Sequence, residues 1–400
     1  MMNESKAQHL NIETLATYVP DVEDTTGHMT ELRHDVISAA NDRQFLTFLP
    51  TFVLICILMS FGIPGNLCAL VVYVTRMKKA IARQFFITLA TCDLLTCLVV
   101  MSTELDIMKR FFLWDMQYVC KCFRWLAYMT NNLSNFTLLA IAIERYILVC
   151  KPWKQKWTSS IKSKICYMNA SIAIITSLPM FFIYGSQNIL LHKSSRNKQE
   201  STDGYSITEN LTTSNGSDVT DIKIYGTSCL MDENMMDSKF PNTIVVIYIV
   251  GIVITFFVLI VLYGNVLKTL LERRKQSLCQ QKEKHKKDST NRIRKVTFMM
   301  VVLTALYEIC YLPCLVTVCI RLMRPDFYGT LSNLGKIIFQ LMLKSYLLCS
   351  AFNPYVYGFC NKEFISELSK FYKNVLPSNE SIERNPQSSR TRIMETEDFM

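Results

Sequence analysis

Long apolar runs separated by polar stretches dominate the pattern along this chain. The clearest run, Thr243 to Leu267, holds no charged residue across 25 positions, enough for a helix to cross hydrocarbon roughly 30 Å thick. Comparable segments place seven spans near 48–75, 85–106, 119–149, 165–186, 241–267, 294–322 and 334–360. Lipid offers backbone groups no partner, so each span must bond internally. This predicts an all-α fold, a seven-transmembrane helix bundle over 48–360. The links at 107–118, 150–164 and 323–333 are short and favour antiparallel neighbours. Past the last span, Phe364, Leu368 and Phe371 fall on one side of a helix and Lys362, Glu363 and Lys370 elsewhere. That spacing predicts a short amphipathic eighth helix over 361–373. Residues 1–47 read as an N-terminal tail and 374–400 as a disordered tail, polar and carrying Ser and Thr open to phosphorylation.

Half of the 400 residues are hydrophobic and 19% are charged, against about a quarter in soluble proteins. A soluble protein is excluded. The net charge of +10 matters through its location. Residues 1–45 hold eight acids and three bases, whereas 268–295 hold eleven bases. Bases also follow span one (Arg76, Lys78, Lys79, Arg83) and span three (Lys151, Lys154, Lys156, Lys162, Lys164). Three loops of one parity are basic, which places them in the cytoplasm, the N-terminus outside and the C-terminus inside the plasma membrane. No cleavable signal is read in the polar start, so the first span is expected to target the chain. Asn3, Asn210 and Asn215 begin Asn-x-Ser/Thr triplets in the extracellular chain and are expected to be glycosylated.

Several motifs then occur in order. Span one has Gly65-Asn66. Span two has Leu89-Ala90-Thr91-Cys92-Asp93-Leu94-Leu95, and span three starts at Cys120 and ends in Glu144-Arg145-Tyr146. Span six has Cys310-Tyr311-Leu312-Pro313, and span seven has Asn353-Pro354-Tyr355-Val356-Tyr357. With these motifs the chain resembles the rhodopsin-like (class A) G-protein-coupled receptors from about residue 48 to 373, and most of all an invertebrate-type neuropeptide receptor.

The resemblance attaches expectations to particular residues. Asp93 lies mid-helix in apolar sequence, where an unpaired carboxylate costs on the order of several kcal/mol. An allosteric sodium ion is implied at Asp93, Ser134 and Ser350, with Asn66 and Asn353 behind them; a protonated Asp93 in a structural network is the alternative. No other cofactor is implied. A switch is implied in which Glu144 holds Arg145, beside Tyr146, until Arg145 moves toward Tyr263 and Tyr357. Tyr307, Pro313 and Pro354 shape spans six and seven around it. The chain departs from the family pattern at Tyr311, Tyr307, Thr255 and Asn135, and an Asn135–Tyr307 or Thr255–Tyr307 hydrogen bond is expected to replace apolar packing. No acid near Lys295 can hold Arg145 from across the bundle. A disulfide between Cys120 and Cys229 is implied on the oxidising side, with Cys122 expected to point into helix packing.

For the ligand, Arg124, Ala127, Tyr128 and Asn131 recur at helical spacing on span three. Glu104 lies eleven residues beyond Asp93, about three turns, and so returns to its face. Tyr311 floors the cavity and Lys344 is one of its few other charges. Ala127 stands where aminergic receptors carry an Asp, and Leu347 where opsins carry a Lys. The outer loop, 187–240, has eight acids and five bases and attracts a cationic partner. The expected ligand is an extracellular neuropeptide whose basic end approaches Glu104, while Arg124 or Lys344 receives a carbonyl or an anionic group. A Glu104–Arg124 pair and a snorkelling Lys344 stay open. So do a small-molecule or lipid ligand, and a decoy that binds without signalling. The other expected partners are a heterotrimeric G-protein, on which nucleotide exchange is promoted, arrestin and a receptor kinase at the tail, and membrane lipids. Nucleic acid is not expected. An enzyme is not expected either, since all five His lie in the N-terminal tail or loops, and a transporter would want the paired repeats that are missing here.

Overall fold

The computed structural model describes residues 25–77, 82–194, 222–279, 284–360 and 362–375. Helix α1 (Thr25–Thr75) starts well ahead of the span edge read at 48. Asn41 explains the extension: its Nδ2 donates to the Lys109 carbonyl at 2.9 Å, and its Oδ1 accepts from the Phe112 backbone N–H at 3.2 Å. The early turns therefore dock on the loop after the second span.

That second span is not one uniform helix. α2 (Arg83–Leu95) passes through a π-helical turn, Thr96–Val100, into α3 (Met101–Lys109). A π turn takes up about one residue more than an α turn. Side chains beyond it, Glu104 included, are rotated from where an unbroken α count sets them relative to Asp93. α4 (Gln117–Cys150) and α5 (Ser159–Ile183) follow, α5 opening on Thr158, whose hydroxyl accepts from the Ile161 N–H at 3.3 Å.

The long loop after α5 contains an antiparallel hairpin that helical periodicity does not reveal. β1 (Tyr184–Ser194) pairs with β2 (Ile222–Met231), Gly185 facing Leu230 and Ser186 facing Cys229, with an irregularity near Leu190. The hairpin is fastened to the α3–α4 loop as well: Trp114 N–H donates to the Thr227 carbonyl at 2.9 Å, and Thr227 N–H donates to the Phe112 carbonyl at 3.0 Å. Trp114 is fully buried there.

α6 (Phe240–Cys279) and α7 (Lys284–Met323) carry helix far into the basic segment read as a loop. A single turn, α8 (Phe327–Thr330), precedes α9 (Asn333–Leu343) and α10 (Leu347–Cys360). α11 (Lys362–Val375) closes the described chain, with Phe364 buried against Tyr73 at 5.5 Å between ring centroids. The seventh span, expected as one helix, is broken between α9 and α10 and bent by 53°. Ser345 sits in the break and donates to the Cys310 carbonyl of α7 at 2.7 Å, which anchors the turn to its neighbour.

Among the described residues six stretches are long and apolar enough to cross a membrane, and the bent pair makes a seventh. The apolar stretch of α6 is only 6% buried, and Ile247, Ile254, Phe257 and Val261 face outward. Such a face is tolerable against lipid and not against water. The chain is a multi-pass membrane protein built as an all-α bundle. Packing is closest where side chains are smallest: a Cβ added to Gly65 of α1 would lie 2.8 Å from Pro354 Cγ of α10. Only glycine allows that approach.

Candidate ligand and switch sites

At the hairpin end, Cys229 of β2 is joined to Cys120 of α4 with sulfurs 2.00 Å apart. Cys122 is exposed and unbonded rather than packed between helices, since the α4 turn that aims Cys120 at the hairpin aims Cys122 away. One turn of chain after Cys229, Asp232 Oδ2 receives Lys121 Nζ at 2.9 Å and Gln117 Nε2 at 3.3 Å. Asp232 Oδ1 accepts from the Asn234 N–H at 3.1 Å. Desolvation acts upward on this carboxyl, but the Lys121 hydrogen bond, the Asn234 N–H and the Lys121 charge together hold it below the usual carboxylate range. Gly185 is required alongside, because a Cβ there would lie 2.5 Å from Asp232 Oδ2. The disulfide and this ion pair together clamp the hairpin over the head of α4.

Beneath the hairpin lies a buried charge cluster. Arg124 Nη1 donates to Glu104 Oε1 at 2.9 Å, and Lys344 Nζ reaches the same oxygen at 2.7 Å. The three residues come from α4, α3 and the α9–α10 break. Glu104 is therefore engaged by two cations of its own chain. Around it stand rings: Arg124 lies 5.3 Å from the Tyr184 ring centroid and 5.2 Å from that of Phe123. Tyr128 shares a hydrogen bond with Tyr184 at 3.3 Å between oxygens and meets Tyr248 edge-on. Ala127 is buried and Asn131 half-buried on α4. Tyr311 packs against Tyr346, 6.3 Å between centroids. Tyr184, Tyr248 and Tyr346 were not singled out from the sequence, because none stands in a motif and their partners are distant in the chain.

Midway down the bundle, Asp93 is buried, and Asn353 Nδ2 donates to its Oδ2 at 2.7 Å. The Ser350 side chain lies near Asp93 as well. Asn66 Nδ2 donates to the Ser350 carbonyl at 2.7 Å, while its Oδ1 is buried without a hydrogen-bond partner among the described residues. Ser134 is buried and lies near Cys92. One carboxylate, two hydroxyls and an orphaned amide oxygen suit a small hard cation. Near the same depth, Tyr307 stacks on Tyr311, with centroids 5.6 Å apart and planes 16° apart. Thr255 donates instead to the Gly251 carbonyl of its own helix at 2.9 Å. Among the described residues neither an Asn135–Tyr307 nor a Thr255–Tyr307 hydrogen bond forms; the contact at Tyr307 is ring stacking on Tyr311.

At the opposite end Arg145 is fully buried, and its Nη2 donates to Glu144 Oε2 at 2.6 Å. Among the described residues its Nε and Nη1 have no hydrogen-bond partner. Lys162 of α5 binds the second oxygen of Glu144. It was read from the sequence only as topology charge, and the signal that could have found it is a base at the start of the neighbouring helix. A hollow of about 110 Å³, lined by Glu144, Ile147, Leu148, Lys156, Trp157 and Lys162, adjoins the pair. Lys151 Nζ lies 5.4 Å from the Tyr146 ring centroid. Tyr263 is buried and shares a hydrogen bond with Thr304, 3.0 Å between oxygens. Lys295 is exposed. Pro313 and Pro354 lie inside α7 and α10. The Tyr357 side chain, Asn3, Asn210, Asn215 and residues 376–400 lie outside the described part.

The sequence is similar to those of known receptors. The chain matches the 7 transmembrane receptor (rhodopsin family) model over residues 65–201 and 205–357. It is 34% identical over 140 residues to a C5a anaphylatoxin chemotactic receptor 1 of Danio rerio, a match covering 33% of this chain and 38% of that protein. It is 31% identical over 147 residues to a thyrotropin-releasing hormone receptor of Gallus gallus, covering 36% and 37%. A neuropeptide Y receptor type 6 of Mus musculus is 22% identical over 333 residues, covering 81% and 80%. The chain thus spans less than two fifths of the length of the anaphylatoxin and hormone receptors it matches. The family match runs through most of the helical bundle, and on it the chain belongs to the rhodopsin family of seven-transmembrane receptors.

Proposed function

We propose that this protein is a neuropeptide receptor of invertebrate type, which binds its ligand beneath the hairpin and promotes nucleotide exchange on a heterotrimeric G-protein at the Arg145 end. One observation carries the reading. A guanidinium is fully buried near the end of α4, tied to its neighbour Glu144, with two nitrogens unbonded among the described residues. Such a donor is costly unless another state gives it partners, and an incoming G-protein surface or Tyr263 and Tyr357 supply them. The similar receptors named for C5a, thyrotropin-releasing hormone and neuropeptide Y support a peptide ligand.

The charge pattern supports an orientation with the hairpin and N-terminus outside the plasma membrane and the basic segments in the cytoplasm. In this reading Asn3, Asn210 and Asn215 carry glycans, α11 lies along the inner leaflet, and the tail meets a receptor kinase and arrestin. Asp93, Ser134 and Ser350 hold a sodium ion that neutralises the buried carboxylate, with Asn66 and Asn353 supporting them. Glu104, Arg124, Ala127, Tyr128, Asn131, Tyr311 and Lys344 form the ligand site.

The test is guanine-nucleotide exchange in membranes containing the receptor, a panel of G-proteins and a neuropeptide library. Ligand-dependent exchange with at least one G-protein, lost in Arg145→Ala, is expected. A peptide that binds tightly without exchange on any G-protein would show a decoy instead. For the ion site, Asp93→Asn should abolish the sodium dependence of peptide binding; dependence that persists removes the ion from the scheme.

A further inference from the structure

The chemistry of the ligand group that meets the hairpin-end cluster follows from which of its charges faces outward. The Glu104 side chain is 2% exposed, that of Lys344 10% and that of Arg124 15%. The acid is the most deeply buried of the three, and the two cations keep more accessible surface. Two cations share one carboxylate oxygen, so the cluster carries one surplus positive charge. Among the described residues Arg124 Nε is buried without an acceptor, and charged donors left this way favour a charged acceptor. The Phe123 and Tyr184 rings lie against the guanidinium, which leaves its edge for an in-plane partner. Lys344 occupies the α9–α10 break, where the Ser345 bond to the Cys310 carbonyl fixes the backbone. A basic group entering here would meet two cations before the acid and would have to displace one of them. A carboxylate would bring the cluster to two charges of each sign.

We propose that the site takes a peptide that presents a carboxylate to Arg124 and Lys344, with Glu104 holding the two cations in place. This rests on the peptide-receptor reading above and names the group that the site selects. The surplus charge is local and buried, so it decides the contact even where the acidic outer segments draw a peptide of positive net charge toward the membrane.

The purified receptor in lipid nanodiscs is offered one pool of short random peptides in three forms. These are a free C-terminal carboxylate, a C-terminal amide without Asp or Glu, and a C-terminal amide containing them; retained peptides are counted by mass spectrometry. Both carboxylate-bearing forms should be retained about ten- to a hundredfold over the acid-free amide, and comparing them tells a terminal carboxylate from a side-chain one. Lys344→Gln brings the cluster to neutrality and should remove the preference, whereas Glu104→Gln should sharpen it. Should Glu104→Gln fail to fold, Lys344→Gln decides, because it leaves the Glu104–Arg124 pair intact. Peptides retained without a carboxylate preference, or a preference untouched by both Lys344→Gln and Arg124→Gln, would overturn the proposal and leave the peptide reading standing. Retention of no peptide in any form would overturn the peptide reading and this proposal with it.

Discussion

The two ends of the bundle carry the same set of charges in opposite arrangements. Beneath the hairpin, Glu104 meets Arg124 and Lys344; at the far end, Glu144 meets Arg145 and Lys162. In the first cluster both cations bind one oxygen and are more exposed than the acid. In the second each cation has its own oxygen, and the arginine is the member fully removed from solvent. One acid with two bases can therefore present positive charge to a visitor or store it out of reach. Which of these happens depends on the helices that supply the residues. Three separate segments converge on Glu104, whereas Glu144 and Arg145 are chain neighbours on α4 and only Lys162 arrives from elsewhere. Removing the acid that joins the convergent cluster should therefore cost more than removing the outside member of the local one.

That difference can be broken most sharply at Glu104. Glu104→Ala leaves two largely buried cations without their acid and should cost about 3–5 kcal/mol, read as a large fall in thermal unfolding temperature in detergent. A loss near zero would mean that water or lipid already solvates the cluster. Cys229→Ser tests the covalent fastening above it, which closes a loop of sequence separation 109, and should cost about 2–5 kcal/mol. The effect should be concentrated in the hairpin, where faster amide hydrogen exchange would show it.

At the opposite end, Lys162→Gln leaves the local Glu144–Arg145 pair in place. It should cost only about 1–3 kcal/mol in the same unfolding measurement, less than Glu104→Ala. Equal losses at the two ends would erase the distinction between convergent and local clusters. The smallest effect is expected at the Asp232 clamp. Its folded pKa is depressed, so the clamp stabilises the hairpin above the ordinary Asp value of about 3.9. That stability is lost as pH falls through the folded value. Hairpin amide exchange, corrected for its intrinsic pH dependence, should thus stay level from pH 8 to about 5 and rise only in stronger acid. Lys121→Ala should move the rise toward the ordinary Asp range at a cost of about 1 kcal/mol.

The apolar segments of the bundle were legible in the sequence because lipid imposes one rule on every crossing backbone, and long uncharged runs such as Thr243–Leu267 record it locally. Family motifs were legible for a similar reason: Glu144-Arg145-Tyr146 and Asn353-Pro354 are contiguous. Features that depend on contacts between distant segments were not. The π turn at Thr96–Val100 changes the direction of Glu104 without any glycine or proline in the turn. The hairpin needs a partner strand beyond a long intervening segment, so Tyr184–Ser194 gives little sign of it alone. The seventh span reads as one apolar run, and it breaks where Lys344 finds Glu104 and Ser345 finds the Cys310 carbonyl. Sequence thus determined that Glu104, Arg124 and Lys344 are charges set in apolar spans and in need of partners. Only the tertiary structure decided that they partner one another with the cations outermost, because a buried charge is satisfied by whichever opposite group the packing of three segments brings within about 3 Å.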